Sequence, residues 1–303
     1  MTASDLPRLS RVSTKLRAPI IAITSIVTGV LLMGTGTARA AWEEIERFLS
    51  LRGDPEPASA NVLSEHHLEG LDGMSPQQQA EFLLERSINH YKGANEQIEA
   101  RADRWYGRIS HEPRLQNLFT TALNSDDLRV RAAAIEVNLA ARNRPKSVAT
   151  IDALEPAART GEQGPRANAL WDLGLLGNRG VAPGRVAQIL LVSITDPNEN
   201  IRYWAVEGLA YLGTDEIVEP LLDVFHNDPS PTIRERAACS LAQSGMLSAK
   251  QRRKAVPRLL DFTDDPALDA QTRSWVYQAL RDITGQTLPH NPSAWREWWQ
   301  VER

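Results

Sequence analysis

An arginine that returns every 32 to 39 residues constrains this chain more than any other feature. Arg131, Arg166, Arg202, Arg234 and Arg273 are separated by 35, 36, 32 and 39 residues. Three positions after each stand Ala134, Ala169, Ala205, Ala237 and Val276. Seven positions after stand Asn138, Leu173, Leu209, Leu241 and Leu280. Steps of three and seven fall on one face of an α-helix, so each arginine opens a helix that turns a small residue and then a leucine toward a core. Only Asn138, in the first unit, departs from the leucine. Self-similarity at this period marks stacked units, none of which buries its apolar face alone.

Turn chemistry separates the helices within each unit. Asp196-Pro197, Asp228-Pro229 and Asp265-Pro266 break the chain before three of the arginine helices, Asn124-Ser125-Asp126 does so in the first unit, and Gly161 and Gly164 in the second. Apolar helices lie upstream, for example Val186 to Ile194 and Ile217 to Phe225. Pro156, Pro220 and Pro257 each sit eight residues before Gly164, Asp228 and Asp265. A proline within a helix removes a backbone hydrogen bond and bends it, so the spacing predicts a bent first helix in these units. No alternating strand pattern with paired turns occurs anywhere.

Segments such as Asp196-Pro197…Ile201-Arg202…Ala205…Leu209…Leu212-Gly213 and Asp228-Pro229…Ile233-Arg234…Ala237…Leu241 resemble the HEAT-repeat family, including its lyase-like subgroup, over residues 112–287. The resemblance implies an all-α fold: a right-handed α-solenoid of about five HEAT-like helix pairs whose second helices line the concave side. It also implies that the Asp and Arg positions bridge neighbouring repeats, which makes Arg131, Arg166, Arg202, Arg234 and Arg273 structural. The motif is specific for fold and poor for function. It leaves three functions open: a non-catalytic interaction scaffold, a lyase-like or other enzyme-accessory protein, and a structural envelope component.

Two helical regions flank the repeats. Residues 63–111 read as an N-terminal helical hairpin. Ser75 caps a helix with Pro76 in its first turn and Gln78 completing a capping box; Gly93 then opens a second helix over Ala94 to Ile109, with Ile98, Ala102, Trp105 and Ile109 on one face. Residues 288–303 read as a capping helix, with Asn291 as N-cap, Pro292 at the first turn, and Trp295, Trp298 and Trp299 on one face. A solenoid needs such a cap because its end repeat otherwise exposes a core face.

The first forty residues read as an address. Arg8, Arg11, Lys15 and Arg17 precede an uncharged stretch from Ile20 to Met33, and Ala38-Arg39-Ala40 supplies a small-x-small cleavage site. The apolar stretch is shorter than the roughly 20 residues a spanning helix needs. Cleavage after Ala40 places the protein in the bacterial periplasm or outside the cell; an uncleaved segment makes it an inner-membrane signal anchor. Residues 41–62 follow as a short helix, with Trp42, Ile45, Phe48 and Leu49 on one side, and a proline-bearing linker.

Charge and motifs narrow the function classes. The whole chain carries 34 basic and 38 acidic residues, a net of −4; removing residues 1–40 takes five basic residues and one acid and leaves 29 against 37, a net of −8. Such a field disfavours nucleic acid and anionic lipid as partners. The run Lys250 to Lys254 reads as a solvated helix face. No nucleophile elbow, phosphate loop, dinucleotide fingerprint or zinc-protease motif occurs, so no catalytic residue, metal ligand or cofactor is assigned. His66, His67 and His90 lack metal-site spacing and read as exposed or cap-bonded. Arg52-Gly53-Asp54 is too short a motif to carry an adhesion function.

What remains is a binding face. Numbered from each arginine, positions −1, +3, +7 and +10 turn to the core, which leaves +5 and +1 facing outward. Position +5 gives Glu136, Trp171, Glu207, Cys239 and Gln278; position +1 adds Tyr203, Glu235 and Ser274. A mixed acidic and aromatic ladder suits a basic or amphipathic segment of a protein or peptide partner. Cys239 lies in this row either partly exposed or as a buried, inert thiol. N-terminal sequencing of the protein recovered from the cell envelope is expected to begin at Ala41-Trp42-Glu43; a start at Met1 or Thr2 means the segment is kept as an anchor.

Overall fold

The structure, a computed structural model, describes residues 61–302. The expected signal peptide, and the short helix and linker that follow it as far as residue 60, lie outside the described residues. Every regular element described is helical; the one β-feature is an isolated parallel bridge between Val62 and Lys92. No helix among the described residues is long and apolar enough to cross a membrane.

The N-terminal region has one helix more than the expected hairpin. α1 (Glu65–Leu71) is capped by Ser64, and His67 returns the capping-box bond through Nδ1. α2 (Pro76–Ile88) carries the capping box of Ser75 and Gln78. α3 (Ala94–Ala102) ends seven residues before the expected Ile109, because residues 103–108 form turns and Gly107 takes a left-handed φ of 70°. Trp105 and Ile109 stay buried all the same, and the Trp105 indole donates to Gln79 Oε1 at 3.1 Å.

Five helix pairs follow. They are α4 (Pro113–Leu123) with α5 (Leu128–Ala141), α6 (Val148–Thr160) with α7 (Gln163–Asn178), and α8 (Pro183–Ser193) with α9 (Glu199–Leu212). The fourth pair is α10 (Val218–Asn227) with α11 (Pro231–Ala242). The fifth joins α12 (Ala249–Arg253) and α13 (Val256–Phe262) to α14 (Ala270–Thr284), and α15 (Pro292–Glu302) closes the array. The recurring proline acts differently in each unit. Pro156 lies inside α6. Pro220 lies in the first turn of α10, behind a 3-10 turn at Asp215–Ile217, and Pro257 lies in the first turn of α13, behind a break that separates it from α12. The expected bend is thus an uninterrupted helix, a 3-10 turn and a break.

Burial explains the stacking. α5 carries two apolar stripes. Leu128, Ala132, Ile135 and Leu139 join the core of the later repeats, whereas Val130, Ala133, Ala134, Val137 and Ala140 join that of the N-terminal helices. A helix apolar on all sides must be covered on all sides, and every residue from Arg131 to Ala140 is buried. From α7 onward, successive second helices pack much closer together than successive first helices, which puts α7, α9, α11 and α14 on the inner side of the curve. The tightest approach is α7 to α9. A Cβ on Gly174 would fall on the Gly208 carbonyl, and one on Gly208 would lie 2.7 Å from the Leu170 carbonyl oxygen.

The repeated arginines stitch the units together. Arg166 meets Asp196 of the next turn at 2.6 Å, Arg202 grips both oxygens of Asp228 at 2.8 and 3.0 Å, and Arg234 meets Asp269 at 2.8 Å. Each also donates to a backbone carbonyl of its own unit: Arg166 to Ala158, Arg202 to Asp196, Arg234 to Asp228 and Arg273 to Asp265. The Arg202–Asp228 pair is almost wholly buried, so removing one member leaves a charge without a counter-ion. Arg202→Met is expected to destabilise the fold by about 3 kcal/mol in urea unfolding, and the double variant Arg202→Met/Asp228→Asn to recover most of that loss. Equal destabilisation by the single and double variants would show that the pair itself is not what holds these repeats.

Candidate functional site

The row expected to face outward is two different surfaces. In the first three repeats its acids are buried and neutralised from within. Glu136, 2% exposed, receives Arg179 at 2.6 Å and Lys146 at 3.0 Å. Fully buried Asp172, one position beyond Trp171, pairs with Arg142 and with Arg144 at 2.7 Å. Glu207, 6% exposed, pairs with Arg236 of the next repeat. Burial pushes the Glu207 carboxyl above its ordinary value, against the opposing pull of Arg236. The nearby Tyr211 hydroxyl is pushed up to about 12 by burial and by the Glu207 charge. These positions correct the expectation of solvent-facing acids at Glu136 and Glu207: curvature brings the second helices close enough for loops and neighbours to cover them.

The aromatics of the row are half-buried and pack on one another. The Trp171 ring lies 4.6 Å from Tyr211 and 6.0 Å from Trp204, and Trp204 lies 5.6 Å from Tyr203, all edge-on. This favoured geometry fills the inner side of α7 and α9 rather than leaving an open cage.

A contact across three repeats closes this part of the face. Arg131, at the start of α5, donates through Nη1 to the carbonyls of Gln243 at 2.9 Å and Gly245 at 2.6 Å, in the loop after α11. Its Nε donates to Ser125 in its own turn. Unlike Arg166, Arg202 and Arg234, it therefore binds no aspartate in the next turn. Arg252 of α12 holds the same loop from the other side, donating to the carbonyls of Leu247, Gln243 and Ser244 at 2.8, 3.0 and 3.1 Å.

From the fourth repeat onward the row is open. A groove runs between α11 and α14, lined by Glu235, Cys239, Gln243, Trp275, Gln278 and Asp282 over a floor of Ala238, Ala242 and Ala279. Glu235, Gln243, Gln278 and Asp282 are exposed, and Trp275 and Cys239 are half-buried. Neither Glu235 nor Asp282 makes an ion pair among the described residues; the Gln243 amide donates to Asp282 at 2.8 Å. Burial raises the Cys239 thiol above its ordinary value, with Arg236 opposing, which favours the neutral thiol over the nucleophilic thiolate. A second depression lies between the starts of α9 and α11, lined by Asn198, Glu199, Asn200, Tyr203, Thr232 and Ile233.

The structure brings Glu235, Cys239 and Gln278 into one groove and leaves Tyr203 at its neighbour. Trp275, Asp282 and Gln243 were missed. Their signal was present: 235 and 239 on α11 with 243 at its C-cap, and 275, 278 and 282 on α14, follow the i, i+3, i+4 rule for a shared face. At the C-terminus, Trp295 is fully buried and its indole donates to the Pro289 carbonyl at 3.0 Å. Trp298 packs edge-on against it at 6.0 Å, and Trp299 receives the Arg253 guanidinium at 5.3 Å. No group of acidic, histidine or cysteine residues arranged to hold a metal occurs among the described residues.

Comparison with known proteins places this geometry. The family model for HEAT repeats matches residues 151–242 and 186–281. No curated protein matches the sequence. Among solved structures, the chain is similar to the karyopherin Kap121p bound to the extreme C-terminus of the protein phosphatase Cdc14p, at 14% identity and a TM-score of 0.40, over 89% of this chain and 27% of that one. It is similar to a designed armadillo repeat protein in complex with the peptide (KR)4, at 15% identity and a TM-score of 0.34, over 79% of this chain and 98% of that one. It is also similar to an engineered protein at 16% identity and a TM-score of 0.32, over 79% and 97% of the two chains. The chain spans about a quarter of the karyopherin's length. With Arg–Asp bridges running from α7 to α14 within the residues the family model matches, residues 151–281 of this chain are HEAT repeats.

Proposed function

We propose that the chain is an exported protein-interaction scaffold that takes a cationic segment of a partner protein into the groove between α11 and α14. HEAT and armadillo solenoids are typically interaction scaffolds, because stacking repeats builds an extended surface. The observation that carries the site is the contrast among the acids of the second helices. Glu136, Asp172 and Glu207 are buried against arginines and lysine, whereas Glu235 and Asp282 stand exposed and unpaired beside Trp275. A lysine or arginine side chain can lay its stem on the indole and the alanine floor while its charged head reaches the two carboxylates.

The net charge of −8 left after cleavage at Ala40 steers such a segment toward the protein at a distance. Export, to the periplasm or beyond, rests on the n-region, apolar stretch and cleavage site of residues 1–40. An enzymatic role gains no support from the groove, whose one thiol is made less acidic by burial.

A photo-crosslinking residue placed at Gln278 tests this in native cells, with Gln188, exposed on the outer helix α8, as control. A discrete crosslinked band from Gln278 alone is expected, its partner carrying a lysine- or arginine-bearing segment at the crosslink. The same bands from both sites, or none from Gln278 in cells where the folded protein is present, would remove the groove as the contact.

A further inference from the structure

The groove and the closure of the inner face share one residue. The side chain of Gln243 is part of the groove wall, where its amide donates to Asp282 at 2.8 Å. Its backbone carbonyl accepts from Arg131 at 2.9 Å and from Arg252 at 3.0 Å. Two residues on, the Gly245 carbonyl accepts from the same Arg131 nitrogen at 2.6 Å, and the Met246 amide donates to the Ala210 carbonyl at 2.8 Å. Gly245 holds a left-handed φ of 74°, and a Cβ there would strike the Ala210 carbonyl, so the loop sits backbone to backbone on the end of α9. Arg131 is 5% exposed, and no carboxylate of the described residues lies within ion-pair distance of it. A buried guanidinium held by carbonyl dipoles alone keeps its place only while those dipoles keep theirs.

We propose that a cationic side chain entering the groove releases the Arg131 bridge, so that the partner opens the contact between the first and fourth repeats as it binds. The inference rests on the groove reading above. A guanidinium or ammonium group makes a stronger hydrogen bond to the Asp282 carboxylate than the neutral Gln243 amide does, and displaces it. Gln243 then loses its side-chain tether to α14 and keeps only backbone bonds, those to Arg252 and Cys239 among them, at the end of α11. The loop from Gln243 to Met246 relaxes, and Arg131 loses two of its three carbonyl acceptors. Linkage makes the coupling reciprocal: removing the bridge tightens binding by the factor with which binding weakens the bridge.

The test uses the folded chain and a hexa-arginine peptide as the cationic probe. Alkylation of Cys239, the chain's one thiol, reports occupancy of the groove, and amide hydrogen exchange at Met246 reports the bridge. The peptide is expected to slow Cys239 alkylation and to speed Met246 exchange about fivefold or more, and Arg131→Met to bind the peptide more tightly by a similar factor. Asp282→Asn is expected to lose the exchange response. Protection of Cys239 with unchanged Met246 exchange, and unchanged affinity in Arg131→Met, overturns the coupling and leaves the groove standing. An exchange response that survives in Asp282→Asn also overturns it. Failure of the peptide to protect Cys239 removes the groove reading and the coupling with it. Should Arg131→Met not fold, Arg131→Lys, which keeps the charge and loses the fork, is expected to tighten binding to a smaller degree; affinity equal to the wild type overturns the coupling.

Discussion

Between repeats, the array rests on a guanidinium buried against a carboxylate of the following turn. Taking both ions out of water is costly, and the pair is favourable only in good geometry with its remaining hydrogen bonds filled. Arg202 meets that condition by gripping both oxygens of Asp228 and a carbonyl of its own turn, while Asp228 also accepts the Ser230 amide. One carboxylate thus fixes the turn that starts α11 and the distance from α9 to α11. A slip of one repeat against the next would leave two ions unpaired in a dry layer, which makes the pair a register device as well as a contact. Apolar stacking alone, with leucines and alanines that tolerate sliding, has no comparable preference for one offset.

The same logic determines which carboxylates remain available to a partner. Glu136, Asp172 and Glu207 lie on the covered side of the second helices, and burial there is tolerable because Arg179, Arg144 and Arg236 arrive from a neighbouring loop or helix. Such acids are committed to the fold, and a cationic partner would have to compete with a fixed internal cation for them. Toward α14 the second helices are no longer covered, and Glu235 and Asp282 stand exposed to water. Fold and function therefore divide the acids of the second helices between them, according to how closely the neighbouring helices approach.

Much of this was legible in the residues. The arginine period, the small residue at +3 and the leucine at +7 describe the second helices, and Ser75, Gln78, Asn291 and Pro292 mark helix starts that the structure has. The two-sided burial of α5 was only half legible. Its alanines at 132, 133, 134, 140 and 141 fit any face, and the departure of Asn138 from leucine was the sole hint that this helix lies in a different surround. The outward row was misjudged because direction from a helix axis does not say what stands opposite. Gly174 and Gly208, which let α7 and α9 touch backbone to backbone, lie outside the +3 and +7 positions and carry no apolar signal. The groove residues Trp275 and Asp282 were within reach of the i, i+3, i+4 rule but lie at +2 and +9 from Arg273, outside the +5 and +1 positions that define the outward row.

Why Arg131 crosses to the fourth repeat has an answer in the sequence of the second turn. Wherever the following turn supplies an aspartate, the arginine takes it: Arg166 takes Asp196, Arg202 takes Asp228 and Arg234 takes Asp269. The turn that follows Arg131 is Gly161-Glu162-Gln163-Gly164 and offers none. A buried guanidinium without its aspartate must find other acceptors, and the close packing of α7 on α9 curves the inner side until the loop after α11 comes within reach. Gly245, in a conformation that residues with a Cβ rarely adopt, turns its carbonyl to that arginine. The departure from the repeat in one turn and the glycine in another, 84 residues apart by their numbers 161 and 245, meet in a single contact. A bridge made of carbonyls rather than a carboxylate is also the weaker kind, and so the part of the array best suited to yield when a partner arrives.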